Sequence, residues 1–342
     1  LVPHFEKMLY DNAQLARCYL DAYRLTRRPS YRRITVETLD YVLREMTDAA
    51  GGFYSTQDAD SEGEEGRFFL WTPAEVEAVL ADDAALVGSY YGVTEAGNFE
   101  GRNILHVAVD PERFAAEKGL TDDALEALLT GAKTKLYAAR EQRIHPARDD
   151  KVIAAWNGMM LRAFAETAFV LDEGRYRDAA VRNADFLLTE MWRDGRVLHT
   201  WKEGVARLPG FLEDYAGVVD GLLAAYQLTF EARYLRAAIE IADTMLALFW
   251  DGDVEGFFDT ASDHEALILR PRDLFDNATP AGSSVAADVL LRLATLTGNT
   301  DYEQRATASL RAIAPVIDRA ATGFGRALAA IDYYVSRSQE LA

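Results

Sequence analysis

Cysteine is almost missing from this chain. Cys18 is the only one in 342 residues, so no disulfide forms within it. A lone thiol fits a reducing, cytoplasmic compartment. Its helical setting predicts a buried structural thiol rather than a nucleophile. Positive charge is also short: 36 Lys and Arg stand against 55 Asp and Glu, a net charge of -19. Such a field repels phosphate backbones, which excludes nucleic acid and anionic membrane as partners. No apolar run approaches the roughly 20 residues of a membrane span, and there is no signal-peptide pattern. Histidine is scarce, with five in all, which limits imidazole chemistry. The chain opens on Leu1 rather than Met and inside a motif, so it reads as a fragment of a longer protein.

What is present in quantity is helix. Four segments begin alike: "SYRRITVETLDYVLREM" at Tyr31, "RYRDAAVRNADFLLTEM" at Tyr176, "RYLRAAIEIADTMLALF" at Tyr234 and "DYEQRATASLRAIAPVI" at Tyr302. Each has apolar residues at helical spacing with charges between them. The last three follow helices of another kind, "KVIAAWNGMMLRAFAETAFVL", "YAGVVDGLLAAYQLT" and "SSVAADVLLRLATLTG", which are apolar on nearly every face and therefore buried all round. The stretch "HFEKMLYDNAQLARCYLDAYRL" makes a further pair with the Tyr31 segment. Buried and half-exposed helices alternate roughly every 60 to 70 residues, a repeat-array period.

This alternation predicts an all-α fold, an α/α toroid of helical hairpins with parallel inner helices and antiparallel outer ones. The ring is incomplete against six hairpins. Inner helices are expected near 5–25, 151–171, 213–229 and 281–297, and outer ones near 30–47, 174–192, 231–249 and 300–318. An open α-solenoid is the rival, but it needs only half-buried helices. The toroid domain covers 1–342, with a small β-containing insertion at 51–145 that is expected to hold the only substantial β structure. Its start, "GGFYSTQDADSEGEEGRFFLWT", reads as a hairpin with an acidic tip. "TPAEVEAVLADD" reads as a helix with Thr72 and Glu75 in a capping box. "GRNILHVAV" reads as a strand and "TDDALEALLTGAKTKLYAAREQR" as a helix.

About twenty residues before each repeated Tyr lie polar pairs: Asp11–Asn12, Trp156–Asn157, Asp214–Tyr215 and Gly282–Ser283. Glu6, Asp149–Asp150, Glu213 and Asp276–Asn277 come just upstream. Parallel inner helices would gather these heads into one central funnel. Capping and the helix dipole also account for acids at helix starts, at about 0.5–2 kcal/mol each. They account less well for Asp11 and Asn157 inside helices, or for the aromatic company of Tyr10, Trp156 and Tyr215. Aromatics beside carboxylates and amides suit sugar rings.

Five motifs in order, "VPHFEKMLYDNAQLA", "GGFYSTQDADSEGEEGRFFLWT", "DDKVIAAWNGMM", "FLEDYA" and "DNATPAGSSVAA", resemble the thioredoxin-domain-containing family that takes in the spermatogenesis-associated thioredoxin-like proteins. The resemblance spans nearly all of the chain. It implies an α/α toroid similar to six-hairpin glycosidases and N-acylglucosamine 2-epimerases. It also implies an N-terminal thioredoxin-like domain in the full-length chain, absent from this one. Ala281 and Ser283 depart from the family's usual Ser and Asn, which counts against hydrogen-bonding roles there. The resemblance carries no reaction with it.

Glycoside cleavage needs two carboxyls, one of them protonated near neutral pH. Candidate catalytic residues are Asp150, Asp214, Asp276 and Glu6, with His4 as the imidazole of an epimerase-like alternative. Asp11 is a further carboxylate candidate. His106 reads as a core residue, His145 as a loop residue near the Asp149–Asp150 rim, and His199 and His264 as surface positions. Candidate substrate-binding residues are Tyr10, Asp11, Asn12, Trp156, Asn157, Tyr215 and Asn277. Asp58, Asp60 and Glu62 have calcium-loop spacing, but Phe69 stands at the twelfth position, so an EF-hand is excluded and a solvated acidic tip is expected. No metal and no cofactor is expected. An acidic funnel without a Lys/Arg cluster favours a neutral or amino sugar. The other class is a non-catalytic scaffold or client-binding module beside the thioredoxin-like domain. Carboxylates engaged separately as caps would favour it.

Overall fold

The computed structural model describes residues 2–265 and 268–336. Its helices are α1 (Leu9–Thr26), α2 (Pro29–Glu45), α3 (Pro73–Leu80), α4 (Ala84–Tyr90), α5 (Pro111–Lys118), α6 (Asp122–Arg140), α7 (Ala154–Leu171), α8 (Gly174–Phe186), α9 (Leu212–Thr229), α10 (Ala232–Phe249), α11 (Gly282–Thr297), α12 (Thr300–Ala320) and α13 (Gly325–Val335). The chain divides into two compact units, Leu1–Lys7 with Gln57–Arg148, and Met8–Thr56 with Asp149–Ala342.

The second unit is the α/α toroid. α7 packs on α1 and α9, α9 on α11, and α11 on α13, while α2, α8, α10 and α12 each lie against the helix before them in the chain. The inner helices α7, α9 and α11 are buried along most of their length. α7 and α9 approach so closely that a Cβ on Gly158 would run into the Gly217 carbonyl, and one on Gly221 would lie 2.8 Å from the Gly158 carbonyl oxygen. The heads of the inner helices meet at one end. Ala155 at the start of α7 donates its N–H to Asp214 at the start of α9, and Asp276 accepts from both Ala281 before α11 and Arg326 in α13.

The repeated tyrosines fasten one hairpin to the next. Tyr176 donates its hydroxyl to Asp40 (2.8 Å), Tyr234 to Asp185 (3.0 Å) and Tyr302 to Asp243 (2.5 Å). Each acceptor lies nine residues after the Tyr of the preceding outer helix. Burial, together with the Asp partner, pushes all three phenols well above their ordinary pKa.

The first unit holds α3 to α6. Thr72 and Glu75 close the capping box on α3, as the sequence predicts. The acidic hairpin is short: Asp60–Ser61 pairs Glu64–Glu65 across Glu62 (φ 55°) and Gly63 (φ 79°). Arg67 sits 2.8 Å from both Glu62 and Glu64 and so offsets part of the tip's negative charge. Among the described residues no three His, Cys, Asp or Glu converge as metal ligands.

Three expectations need correction. The first inner helix starts at Leu9, so Glu6 lies before it. "GRNILHVAV" forms isolated bridges, Asn103 to Trp71 and Arg102 to Phe99, because the buried Asn103 side chain ties down the Thr94 and Trp71 backbones. The longest strands, Arg196–Lys202 and Val205–Pro209, lie in the toroid unit and not in the insertion. They form a meander with Trp192–Arg193, turning at Asp194–Gly195 and Glu203–Gly204, where all four residues have positive φ. Such turns match the twist of paired strands.

Candidate functional site

A cavity of about 990 Å³ opens among the inner helices of the toroid unit. Residues of α1, α7, α9, α11 and α13 line it. Of the helix-head residues read from sequence, Glu213, Asp276 and Asn277 reach its wall. Asp276 faces it with both oxygens engaged, holding the Ala281 N–H at 2.9 Å and the Arg326 N–H at 2.7 Å.

The other helix-head residues go elsewhere. Asp214 is fully buried. It accepts the N–H groups of Phe211 (2.9 Å) and Ala155 (3.1 Å), and His199 Nδ1 lies 2.8 Å away. Because a carboxylate only accepts, Nδ1 of His199 carries the proton. Burial by itself would lower the His199 pKa, but the Asp214 hydrogen bond and charge outweigh it and raise it. His199 is thus no surface position. Tyr215 is buried and takes the Val197 N–H on its hydroxyl. Asn157 is buried too: Oδ1 accepts from Phe53 and Asn183, and Nδ2 donates to the Phe53 and Ile153 carbonyls. Tyr10 and Trp156 meet edge to face at 4.8 Å and are not wall residues of the cavity. Asn12 turns back to the Met8 carbonyl, Asp11 is exposed, and Asp150 is half-buried away from the cavity wall. Lys151 pairs with Asp149 at 3.0 Å. His4 and Glu6 belong to the first unit and do not line the cavity. His106, in that unit, is exposed and bonded to Ile104 rather than sunk in a core. His145 pairs there with Glu141 at 3.3 Å. Cys18 is exposed on the cavity wall, against the expectation of burial.

The wall chemistry comes from Glu213, which the helix-head pattern included but the catalytic candidates did not, and from charged residues further along the inner helices, which the pattern passed over. Glu213, next to Asp214, lines the cavity. Burial raises its pKa, and the Asp214 charge raises it further. Among the described residues its carboxyl makes no hydrogen bond. Deeper in the cavity, Asp220 receives Arg162 (2.7 Å), Arg292 (2.5 Å) and Arg326 (3.0 Å). Burial would raise Asp220, yet the three guanidiniums hold it well below the carboxylate range. Asp288 takes Arg326 at 2.5 Å, and Glu166 takes Arg17 (2.8 Å) and Arg162 (2.6 Å). The expected absence of an Arg cluster is therefore overturned. Aromatic lining is sparse, with Tyr333 on the wall in place of the predicted platform.

The sequence did carry a signal for this cluster. Asp220 stands alone in "YAGVVDGLLAAYQLT", and Arg162–Glu166 and Asp288–Arg292 are spaced four apart inside nearly apolar helices. A charge in a helix buried all round must find a partner.

No family model matches the chain. It is 38% identical over 348 residues to human spermatogenesis-associated protein 20, covering 91% of this chain and 44% of that protein. A Caenorhabditis elegans protein is 27% identical over 344 residues, with 91% and 47% covered. The chain thus spans less than half the length of the curated relatives it matches. Similar solved structures include a D-mannose isomerase (12% identity, TM-score 0.47, 90% of this chain and 76% of that one). Another is cellobiose 2-epimerase from Bacillus thermoamylovorans (10%, 0.44, 93% and 76%). Among the described residues no helix is long and apolar enough to cross a membrane.

Proposed function

We propose that the toroid cavity binds a saccharide and that Glu213 is its proton-transfer group. The carrying observation is a carboxyl on the cavity wall with a raised pKa and no hydrogen-bond partner among the described residues. A general acid needs this combination: it must keep a proton near neutral pH and reach the ligand. Asp214 acts as a positioning residue behind it, adding the neighbouring charge that holds the proton on Glu213. Asp276 and Asn277 complete the wall. The cavity volume lies within the usual range for small-molecule sites. The same proposal places the protein in the cytoplasm beside a thioredoxin-like domain of the longer chain.

The test pairs calorimetry with a turnover assay on a saccharide panel, using the intact protein and Glu213→Gln. Binding retained within a few-fold, with turnover lost about a hundredfold or more, is the expected result. The scaffold reading draws on a different observation, that Asp214 and Asp276 both serve as helix-head caps. Binding without turnover, unchanged by Glu213→Gln, would establish that reading.

A further inference from the structure

The charge count at mid-cavity points past a neutral ligand. Arg17, Arg162, Arg292 and Arg326 share three carboxylates, Glu166, Asp220 and Asp288. Four guanidiniums against three carboxylates leave one positive charge in excess. The four arginines all line the cavity, and their side chains keep 12–23% of their surface accessible. A network serving only to join helices would close on itself in charge and in donors. This one does neither. Arg292 offers the network only its Nη1, and Arg162 leaves Nη2 unused among the described residues. Arg17 gives Nε and Nη2 to Glu166, while its Nη1 has no described partner. Unused N–H groups fixed by ion pairs are a preorganised receptor for planar oxyanions, which guanidinium recognises in a bidentate manner.

We infer that the cavity's saccharide carries a carboxylate, as a uronic acid does, and that the unused donors of Arg292 and its neighbours bind that group. This rests on the saccharide reading above. A single excess charge matches a monoanion. A dianionic phosphate would exceed it, and Asp276 on the same wall would oppose the second charge, while Asp21 there is paired with Arg24 at 3.0 Å. The two ends of the ligand would then have separate receivers, its carboxylate at the arginines and a hydroxyl or glycosidic oxygen at Glu213.

The experiment is calorimetry of the intact protein against glucose, glucosamine, glucuronate and a phosphorylated glucose, with Arg292→Gln and Arg292→Lys. Glucuronate is expected to bind about tenfold or more tightly than glucose. That preference should fall to near unity in Arg292→Gln and partly persist in Arg292→Lys, which keeps the charge but not the planar fork. The wild-type comparison needs no variant, so a misfolded Arg292→Gln does not rescue the inference. Equal binding of glucose and glucuronate would overturn the inference and leave the saccharide reading standing. A tighter phosphorylated glucose would overturn the monoanion assignment. A glucuronate preference that survives in a folded Arg292→Gln would overturn the role of the arginines. Binding of no sugar at all would overturn both readings.

Discussion

The helix heads and the middle of the cavity use the same residue types for opposite ends. At the heads, Asp214 and Asp276 turn their oxygens to backbone N–H groups, Ala155 and Phe211 for one, Ala281 and Arg326 for the other. At mid-cavity, Asp220 and Asp288 turn theirs to guanidiniums. Both arrangements join neighbouring inner helices. Only the second leaves donors facing the cavity. A carboxylate on a backbone N–H has finished its work, whereas a guanidinium shared among carboxylates still has N–H groups to offer. Glu213 breaks the pattern at the heads: one residue from Asp214, it faces the cavity and has no described partner.

The contrast is tested first where the largest effect is expected. Asp220→Ala leaves Arg162, Arg292 and Arg326 without their shared counter-charge. Breaking a buried ion pair costs about 3–5 kcal/mol, so urea unfolding should show at least that loss. A loss near zero would mean the cluster is solvated and not a network.

Next is Asp214→Asn, which sets an NH2 against an N–H at either Phe211 or Ala155. One such unsatisfied buried donor costs about 1–3 kcal/mol. The same change removes the charge that raises His199, whose imidazole should then titrate lower by NMR. The sign for the intact protein follows. A raised imidazole gives stability that is fully present below its unfolded pKa, near 6.5, and lost as pH rises through the folded value. Asp214→Asn should flatten that decline.

A smaller effect is expected at the outer layer. Tyr234→Phe deletes the hydroxyl bond to Asp185 and should cost about 1 kcal/mol. Tyr176→Phe should behave alike, since the same Tyr–Asp tether recurs there.

The smallest effect has the opposite sign. The pKa of Glu213 is raised, so ionising it opposes folding as pH climbs from its unfolded value, near 4.5. Glu213→Gln removes that burden and should leave the protein slightly more stable at neutral pH and unchanged in strong acid. Thermal melts at both pH values would show it. Destabilisation at neutral pH would mean that Glu213 holds structure, as Asp214 does.

Much of the fold was legible because helical periodicity is a local property. The nearly all-apolar faces around Val218 to Leu223, broken by Asp220, and the Tyr repeats mark the inner and outer layers to within a few residues. The Asp194–Gly195 pair was a readable hairpin signal that the reading ended short of, since the preceding helix was carried to residue 192. The site was less legible. Asp11, Trp156, Asn157 and Tyr215 were placed at the cavity by their position along helices, which fixes the level of a residue but not the direction it faces. A shift of one residue on a helix turns a side chain by about 100°, and that turn separates buried Asp214 from Glu213 at the cavity wall.

Residue order alone determined that this chain makes helical hairpins in two layers, because burying an apolar face is required of each helix wherever it lies. It also determined that Asp220, Arg162 and Arg292 must be paired, because isolated charges do not survive inside buried helices. Only the tertiary structure decided with whom. Arg17, Arg162, Arg292 and Arg326 come from four different helices, and the close α7–α9 approach at Gly158 and Gly217 accompanies the pairing of Arg162 with Asp220. Which carboxyl is pushed above its ordinary pKa was decided there as well, since burial and the charge next door, rather than residue type, raise Glu213.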